Sequence, residues 1–450
     1  MPFKNTAISA FLCIVFGGCS SQPNYQAKDT DELLKQQTTW QYTQNNAQEL
    51  VQLTDLFNID ELNPLIERAL KNNPSFNQVS IALKLAYSQR DITSAEQWFS
   101  LDADFDAERS ENDGTEYRSS LVVSWEADLW QKVADGVAAQ DMVIASNQAT
   151  YQAAKDTLVA SVVRYYLNII LRQSLLAIEQ ERLVVLENNE LNVIERYQYG
   201  LGDLESLDTA RTLTASTRAT IAEYEEEIAQ SQRALSLIVG VDTSQYSPTT
   251  TKFPEVLQPL SSLPEQDLAR RPDLQSAYYD LQAKNYLVDV SYKALLPSIT
   301  LSASLSDAAT TPIQALLVDP VWSLLGGISA PIFAGGELQA EVDTAKLNAD
   351  YAVWQYQDTL LTAVNEVDDA LGQEKSLTVQ KKQKNIALEA AVRSLKSYQY
   401  KYEQGLVDLI DLLTVQEAVY NLEAELAEID YSLLTNRINL GLALGLGVSS

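Results

Sequence analysis

The side chains in this sequence that carry chemical potential are almost all carboxylates. Asp and Glu number 61 against 32 Lys and Arg, for a net charge of −29, and there is no histidine. An imidazole general base and a histidine metal site are therefore excluded. No nucleophile motif and no phosphate-binding glycine loop appears either, so the chain reads as neither an enzyme nor a cofactor or metal protein. Phosphates would be repelled, which argues against nucleic acid as a partner. Most acids recur at helix-surface spacing, but two groups each follow a glycine turn. Asp203, Glu205 and Asp208 come after Gly200 and Gly202, and Asp408 and Asp411 come after Gly405. Carboxylates at those places would cap free helix amides and answer the helix dipole.

The other reactive candidate is Cys19. Lys4 and the apolar run Ala7 to Phe16 precede Phe16-Gly17-Gly18-Cys19, which resembles the lipobox at which bacterial lipoproteins are cleaved and acylated. Phe16 stands where Leu is usual and Gly17 where Ala or Ser is usual, so a plain secretory signal cut nearby is the alternative. Ser20, rather than an aspartate, follows the cysteine and fits delivery to an outer membrane. Cys13 would leave with the signal, and a single remaining cysteine rules out a disulfide within one chain.

The elements that must carry these residues show in the distribution of helix breakers. Hydrophobic residues make up 46% and charged ones 21%, a folded-protein composition. Glycine is scarce, at 16 residues, and no proline lies between Ser75 and Ser247 or after Ile332. Val137 to Tyr199 contains neither breaker, and Glu337 to Gln404 contains only Gly372. Helices of roughly 65 residues would be rods about 100 Å long at ~1.5 Å per residue.

Both rods carry seven-residue rows of apolar residues. Val137, Ile144, Tyr151, Leu158 and Tyr165 make one row, and Val162, Ile169, Leu176 and Leu183 make another. In the second rod Val353, Leu360 and Val367 form one row and Val342, Ala349, Tyr356, Ala363 and Ala370 another. Two seams allow packing on two sides, as the wall of a helical cylinder requires.

The chain also repeats itself. Tyr197-Gln198-Tyr199-Gly200-Leu201-Gly202-Asp203-Leu204 matches Tyr402-Glu403-Gln404-Gly405-Leu406-Val407-Asp408-Leu409 at a constant offset of 205. Asn73-Pro74 and Arg271-Pro272 open corresponding helices. Each copy reads as helix, two strands, very long helix, glycine turn, helix. Residues 101–108 alternate strictly, Asn112-Asp113-Gly114-Thr115 turns the chain, and Tyr117, Leu121, Val123, Trp125 and Leu129 carry the alternation back. The second copy offers Ile299, Leu301, Ala303 and Leu305 against intervening serines and Thr300, then Trp322, Leu324, Ile328, Ala330 and Ile332.

Beyond the signal no run of ~18 apolar residues exists, so a membrane would have to be crossed by strands. Each strand alone would also suit a soluble hairpin. Four strands cannot close a barrel, because the smallest outer-membrane barrels need about eight. A cyclic trimer would supply twelve.

From about Leu62 to Leu446 the sequence resembles the TolC-like outer-membrane efflux channels, in particular their lipid-anchored, OprM- and NodT-like branch. The resemblance rests on Arg270-Arg271-Pro272-Asp273-Leu274, Leu296-Pro297-Ser298-Ile299-Thr300-Leu301 and Pro331-Ile332-Phe333-Ala334-Gly335-Gly336. Ser124-Trp125-Glu126-Ala127-Asp128-Leu129-Trp130 and the two tyrosine-glycine turns add to it. It implies a mainly α chain with membrane β-strands, assembled as a homotrimeric α/β barrel in the outer membrane that continues as a helical cylinder into the periplasm. Partners would be a periplasmic adaptor, an inner-membrane pump reached through it, and outer-membrane lipid.

The resemblance orders the chain as a signal peptide (1–18), a lipid-anchored polar tether (19–50), a first repeat (51–240), an equatorial crossover (241–265), a second repeat (266–446) and a C-terminal end (447–450). The first repeat would hold strands within 99–129, a long helix over 131–197 and a tip turn at 198–203. The second would hold strands over 297–307 and 321–333, a long helix over 337–402 and a tip turn at 403–408.

The glycine turns would then close the tunnel at the periplasmic tips. Asp408 and Asp411, with Asp203 and Asp208, are the expected constriction; for Asp203 and Asp408 the cap reading stands equally open. Thr414 occupies a place where the resembling branch has an aspartate. Arg196, Tyr197, Lys401 and Tyr402 are expected to contact neighbouring tips, or else to be ordinary solvent-facing residues at helix C-termini. Passive export of small toxic compounds is the implied function. A conduit for secreted polypeptides and a periplasmic adaptor lipoprotein are the alternatives, and the adaptor would lack the four alternating strands.

Overall fold

A computed structural model describes residues 39–41, 48–57, 59, 61–111, 114–240, 248, 252–262 and 264–448. The signal peptide, Cys19, most of the tether, Asn112, Asp113 and much of the crossover lie outside the described residues. A 3-10 turn, Leu53–Leu56, leads into α1 (Leu62–Asn72), α2 (Pro74–Ala95), β1 (Ser100–Ser110), β2 (Gly114–Glu126), α3 (Lys132–Gln198) and α4 (Leu204–Val239). The same order returns in α5 (Pro264–Arg270), α6 (Pro272–Lys293), β3 (Ser298–Ala309), β4 (Val321–Ser329), α7 (Glu337–Glu403) and α8 (Leu409–Ala443). The chain is mainly helical with one small four-stranded sheet, the element content that the resemblance implies. The chain divides into two compact units.

The first unit comprises Gln89–Val143 and Asp280–Gln355 and contains the sheet. Its strand order is β1-β2-β3-β4, all antiparallel, so β2 and β3 join the two halves of the sequence. The register sorts side chains by parity. Leu101 pairs with Val123, which pairs with Ala303, which pairs with Leu324; the row Ala103, Leu121, Leu305 and Trp322 lies beside it. One face is thus apolar across all four strands. The opposite face carries Asp102, Asp104, Ser120, Ser124, Ser302, Ser304, Ser306 and Ser323, with Ser100 bonded to Ser124 at 2.7 Å and Ser304 to Ser323 at 2.8 Å. Polar side chains there satisfy one another, while the apolar rows are exposed on β1 and β4 and half-buried on β2, as suits a lipid-facing surface.

At one strand end Trp125 Nε1 donates to Gln97 O at 3.0 Å and Trp130 Nε1 to Pro297 O at 2.6 Å. β4 stops at Ser329, short of the end at residue 333 that the alternation suggested. Pro331 has no amide hydrogen for a ladder, so the apolar Ile332 and Phe333 follow as non-strand chain. β3 runs two residues further than expected, to Ala309 opposite Tyr117.

The second unit holds the described parts of Asp31–Ser88, Ile144–Tyr279 and Tyr356–Ser450. Its largest core gathers Leu53, Leu56, α1, the middle of α3, the end of α4, Val256 and the end of α8 around Tyr166, Leu167, Ile169 and Ile170. Each such side chain contributes roughly 1.5–3 kcal/mol on burial. The seven-residue rows feed this core and the smaller ones of the same unit: Val162 and Ile169 are fully buried in it, and Tyr356, Ala363 and Val367 are fully or almost fully buried in two others.

The stacked helix junctions also repeat. α4 ends in Gly240 at φ 73°, where a Cβ would stand 2.5 Å from the Asn72 carbonyl oxygen. α8 is followed by Gly445 at φ 72°, where a Cβ would stand 2.9 Å from the Arg270 carbonyl carbon. Their spacing is again 205 residues. Only glycine permits both the left-handed turn and the close approach.

Candidate functional site

The tips begin where α3 and α7 must stop. Gly200 N donates to Tyr197 O at 3.0 Å and Leu201 N to Arg196 O at 2.9 Å. The second tip repeats this with Gly405 N to Tyr402 O and Leu406 N to Lys401 O, both 2.9 Å. These paired bonds form a Schellman motif, which needs a left-handed residue, and Gly200 and Gly405 have φ 70° and 67°. Gly202 is not left-handed; its Cα lies in the turn back toward α4.

The next helices start on an aspartate in both copies. Asp203 accepts from Ser206 N at 2.7 Å, and Asp408 accepts from Asp411 N at 2.9 Å. The backbone hydrogen bond holds the Asp203 carboxyl below the usual carboxylate range. Both aspartates therefore act as helix caps, and both remain exposed. Asp411 and Thr414 lie three residues apart on the exposed face of α8, with Thr414 Oγ1 bonded to Ile410 O at 2.8 Å. Asp208 is exposed on α4.

Behind these polar ends Leu186 and Val193 of α3, Leu207 and Ala210 of α4, and Leu409 and Leu413 of α8 form one small core, with Tyr402 of α7 packed on it. All four helices of the two tips meet there. Arg196 Nη1 approaches the Tyr402 hydroxyl at 3.4 Å, so two of the expected tip residues connect the two tips of one chain. Lys401 instead lies 5.0 Å from the ring centre of Tyr398, one turn back on its own helix, and Tyr197 is exposed.

Further up, Asn189 Nδ2 donates to Gln416 Oε1 at 3.4 Å, and Arg182 bridges Glu179 and Glu417 at 3.5 Å each. These links between α3 and α8 went unread in the sequence, although Leu409, Leu412, Leu413 and Gln416 carry the i, i+3, i+4, i+7 spacing that marks a buried face. Among the described residues, no group of His, Cys, Asp and Glu is arranged to hold a metal ion within one chain. No described helix is long and apolar enough to cross a membrane.

The protein-family model for outer membrane efflux proteins matches residues 65–241 and 263–446, one segment in each repeat. The probable outer membrane lipoprotein SilC of Salmonella typhimurium is 27% identical over 401 residues, covering 86% of both chains. The cation efflux system protein CusC of Escherichia coli is 26% identical over 450 residues, covering 97% of this chain and 98% of its own. The pyoverdine export outer membrane protein OpmQ of Pseudomonas putida is 28% identical over 413 residues, covering 86% of both chains.

Among solved structures, the Campylobacter jejuni CmeC outer membrane channel superposes with a TM-score of 0.84 at 23% identity, covering 95% of this chain and 94% of its own. CusC superposes with a TM-score of 0.78 at 24% identity, covering 90% and 100%. These relatives are named as an outer membrane lipoprotein, a cation efflux protein, a pyoverdine export outer membrane protein and an outer membrane channel. With both repeats matched by the family model and the fold shared over at least 90% of its length, the chain belongs to the outer membrane efflux protein family.

Proposed function

We propose that three copies of this chain form one passive duct through the outer membrane, receiving small toxic compounds from an inner-membrane pump through a periplasmic adaptor. The observation that carries this reading is the sheet: four strands, one face apolar along most of its length, and two edges, β1 and β4, without strand partners among the described residues. In lipid an open edge leaves backbone groups unsatisfied, at several kcal/mol each, and three sheets joined edge to edge remove every such edge. Relatives are named for cations, pyoverdine and antibiotics, so the pump rather than the duct sets the cargo.

The tips serve as the periplasmic entrance. Asp408 and Asp411, with Thr414, Asp203 and Asp208 nearby, form rings of negative charge in the trimer that favour cations. Arg196, Tyr197, Lys401 and Tyr402 hold neighbouring tips together in the resting state. Cys19 carries the lipid that anchors the tether.

Single-channel recording tests the entrance. Asp408→Asn combined with Asp411→Asn keeps a cap oxygen at residue 408 while removing the charge. Conductance should rise or cation selectivity should fall; unchanged values of both would reject these acids as the constriction. Accumulation of dyes, and separately of exported polypeptides, in cells lacking the protein tests the cargo class. Dye retention with normal polypeptide export is expected.

A further inference from the structure

Residues 310–320, which join β3 to β4, are built differently from the β1–β2 turn at the same end of the sheet. The β1–β2 turn is bordered by Glu108, Arg109, Glu111, Asp113 and Glu116, whereas residues 308–318 contain no charged side chain at all. Two side chains of the sheet hold this loop down. Ser119 Oγ donates to Ala315 O, and Asp307 Oδ2 accepts from Val318 N at 2.8 Å and Asp319 N at 3.0 Å. Ala315 is completely buried beneath the crossing, and Leu317 is held at φ 54°, a left-handed conformation that leucine rarely adopts.

The register says which way the loop folds. Ser119 and Asp307 are paired with each other and stand two residues from Leu121 and Leu305, so all four side chains emerge on the same face. That face is the apolar one. The loop is therefore tied to the outer surface of the barrel wall and does not cross its mouth. It leaves Ile313, Leu316 and Val318 exposed by 77%, 60% and 69%.

We propose that residues 310–320 are a lipid-contact pad, seated against acyl chains of the outer leaflet and continuous with the lipid-facing rows of the sheet. Burying three aliphatic side chains in lipid stabilises the folded-back loop, while the strand end stays at a fixed depth and the exit stays open. The inference rests on the barrel reading above, and the experiment separates the two.

The full chain is extracted from membranes, reconstituted in bilayers and spin-labelled at Ile313→Cys or Leu316→Cys. Collision with oxygen, which concentrates in lipid, is compared with collision with a water-soluble nickel chelate. Leu324→Cys on the apolar face and Ser323→Cys on the serine face are the references, and the unsubstituted chain is labelled in parallel. Labels at 313 and 316 should prefer oxygen, as at 324. Adding Asp307→Ala should shift them toward nickel by freeing the loop. Nickel preference at 313 and 316 with oxygen preference at 324 would overturn the pad alone. Shielding from both reagents would assign the loop to a neighbouring copy and would equally overturn it. Nickel preference at 324 itself would overturn the barrel reading and the pad together.

Discussion

Asp203 and Asp408 each satisfy an amide that the start of a helix would otherwise leave open, and each stays in contact with solvent. Cap and charge can be separated because asparagine preserves the acceptor oxygen. Asp408→Ala should cost about 1 kcal/mol in the first turn of α8, and Asp408→Asn a few tenths. Hydrogen exchange at Asp411 N reads the difference directly; equal protection in both variants would contradict the cap. The repeat places both aspartates at helix starts, but sequence alone leaves the cap role open beside a place in the constriction.

Asp156 was not legible. Its Oδ1 accepts from Val448 N at 2.7 Å and from Gln152 Nε2 at 2.8 Å, and Lys155 Nζ lies 3.5 Å from Val448 O. These partners pin the C-terminal segment from a distance of 292 residues. Burial, the largest influence, pushes its carboxyl up to about 6 despite those bonds. A raised carboxyl contributes stability that is full below its ordinary value and is lost as pH rises through about 6. Relative to Asp156→Asn, the unsubstituted protein should therefore melt higher at pH 5 than at pH 8. A melting difference that does not change with pH would contradict the assignment.

Arg271 shows how a motif becomes a structural part. It precedes Pro272, whose fixed φ suits the first position of α6. Its side chain is buried and donates to Ala443 O at 3.1 Å, to both carboxylate oxygens of Asp273 at 3.0 and 2.7 Å, and to Glu366 at 2.7 Å. One guanidinium thus joins the start of α6, the end of α8 and the flank of α7, and its charge is held on despite desolvation. Arg271→Ala should destabilise by roughly 1–3 kcal/mol, chiefly because it strands the buried Ala443 carbonyl, while the half-exposed Asp273 and Glu366 turn to water. Arg271→Lys should recover less than half, lacking the forked geometry. Chemical denaturation of the detergent-solubilised protein checks both; full recovery with lysine would contradict the forked contact. The sequence marks Arg271-Pro272 as distinctive, but its partners lie up to 172 residues away and no local spacing announces them. The long helices behave oppositely, since breaker-free windows and seven-residue rows foretell both their length and their buried seams. The end of β4 was misread because apolar alternation continues through Pro331, where backbone hydrogen bonding cannot.

For the molecule as a whole, the repeat imposes the architecture. Each half supplies two strands, one long helix and one glycine tip, and the halves meet in the sheet through β2 and β3. The net charge of −29 is distributed over exposed helix faces and the serine- and aspartate-bearing face of the sheet, away from the apolar rows. That segregation lets one chain face lipid along the strands and water along the helices. Among the described residues each edge of the sheet lacks a strand partner, and no solvent within a bilayer can replace one.

The central claim is therefore stoichiometric, and the mass of the detergent-solubilised complex, extracted from membranes and measured by native mass spectrometry, tests it most directly. Three copies, persisting in detergent, are the predicted result; a folded monomer retaining its full strand signal, or any assembly whose copies do not number three, would contradict the account.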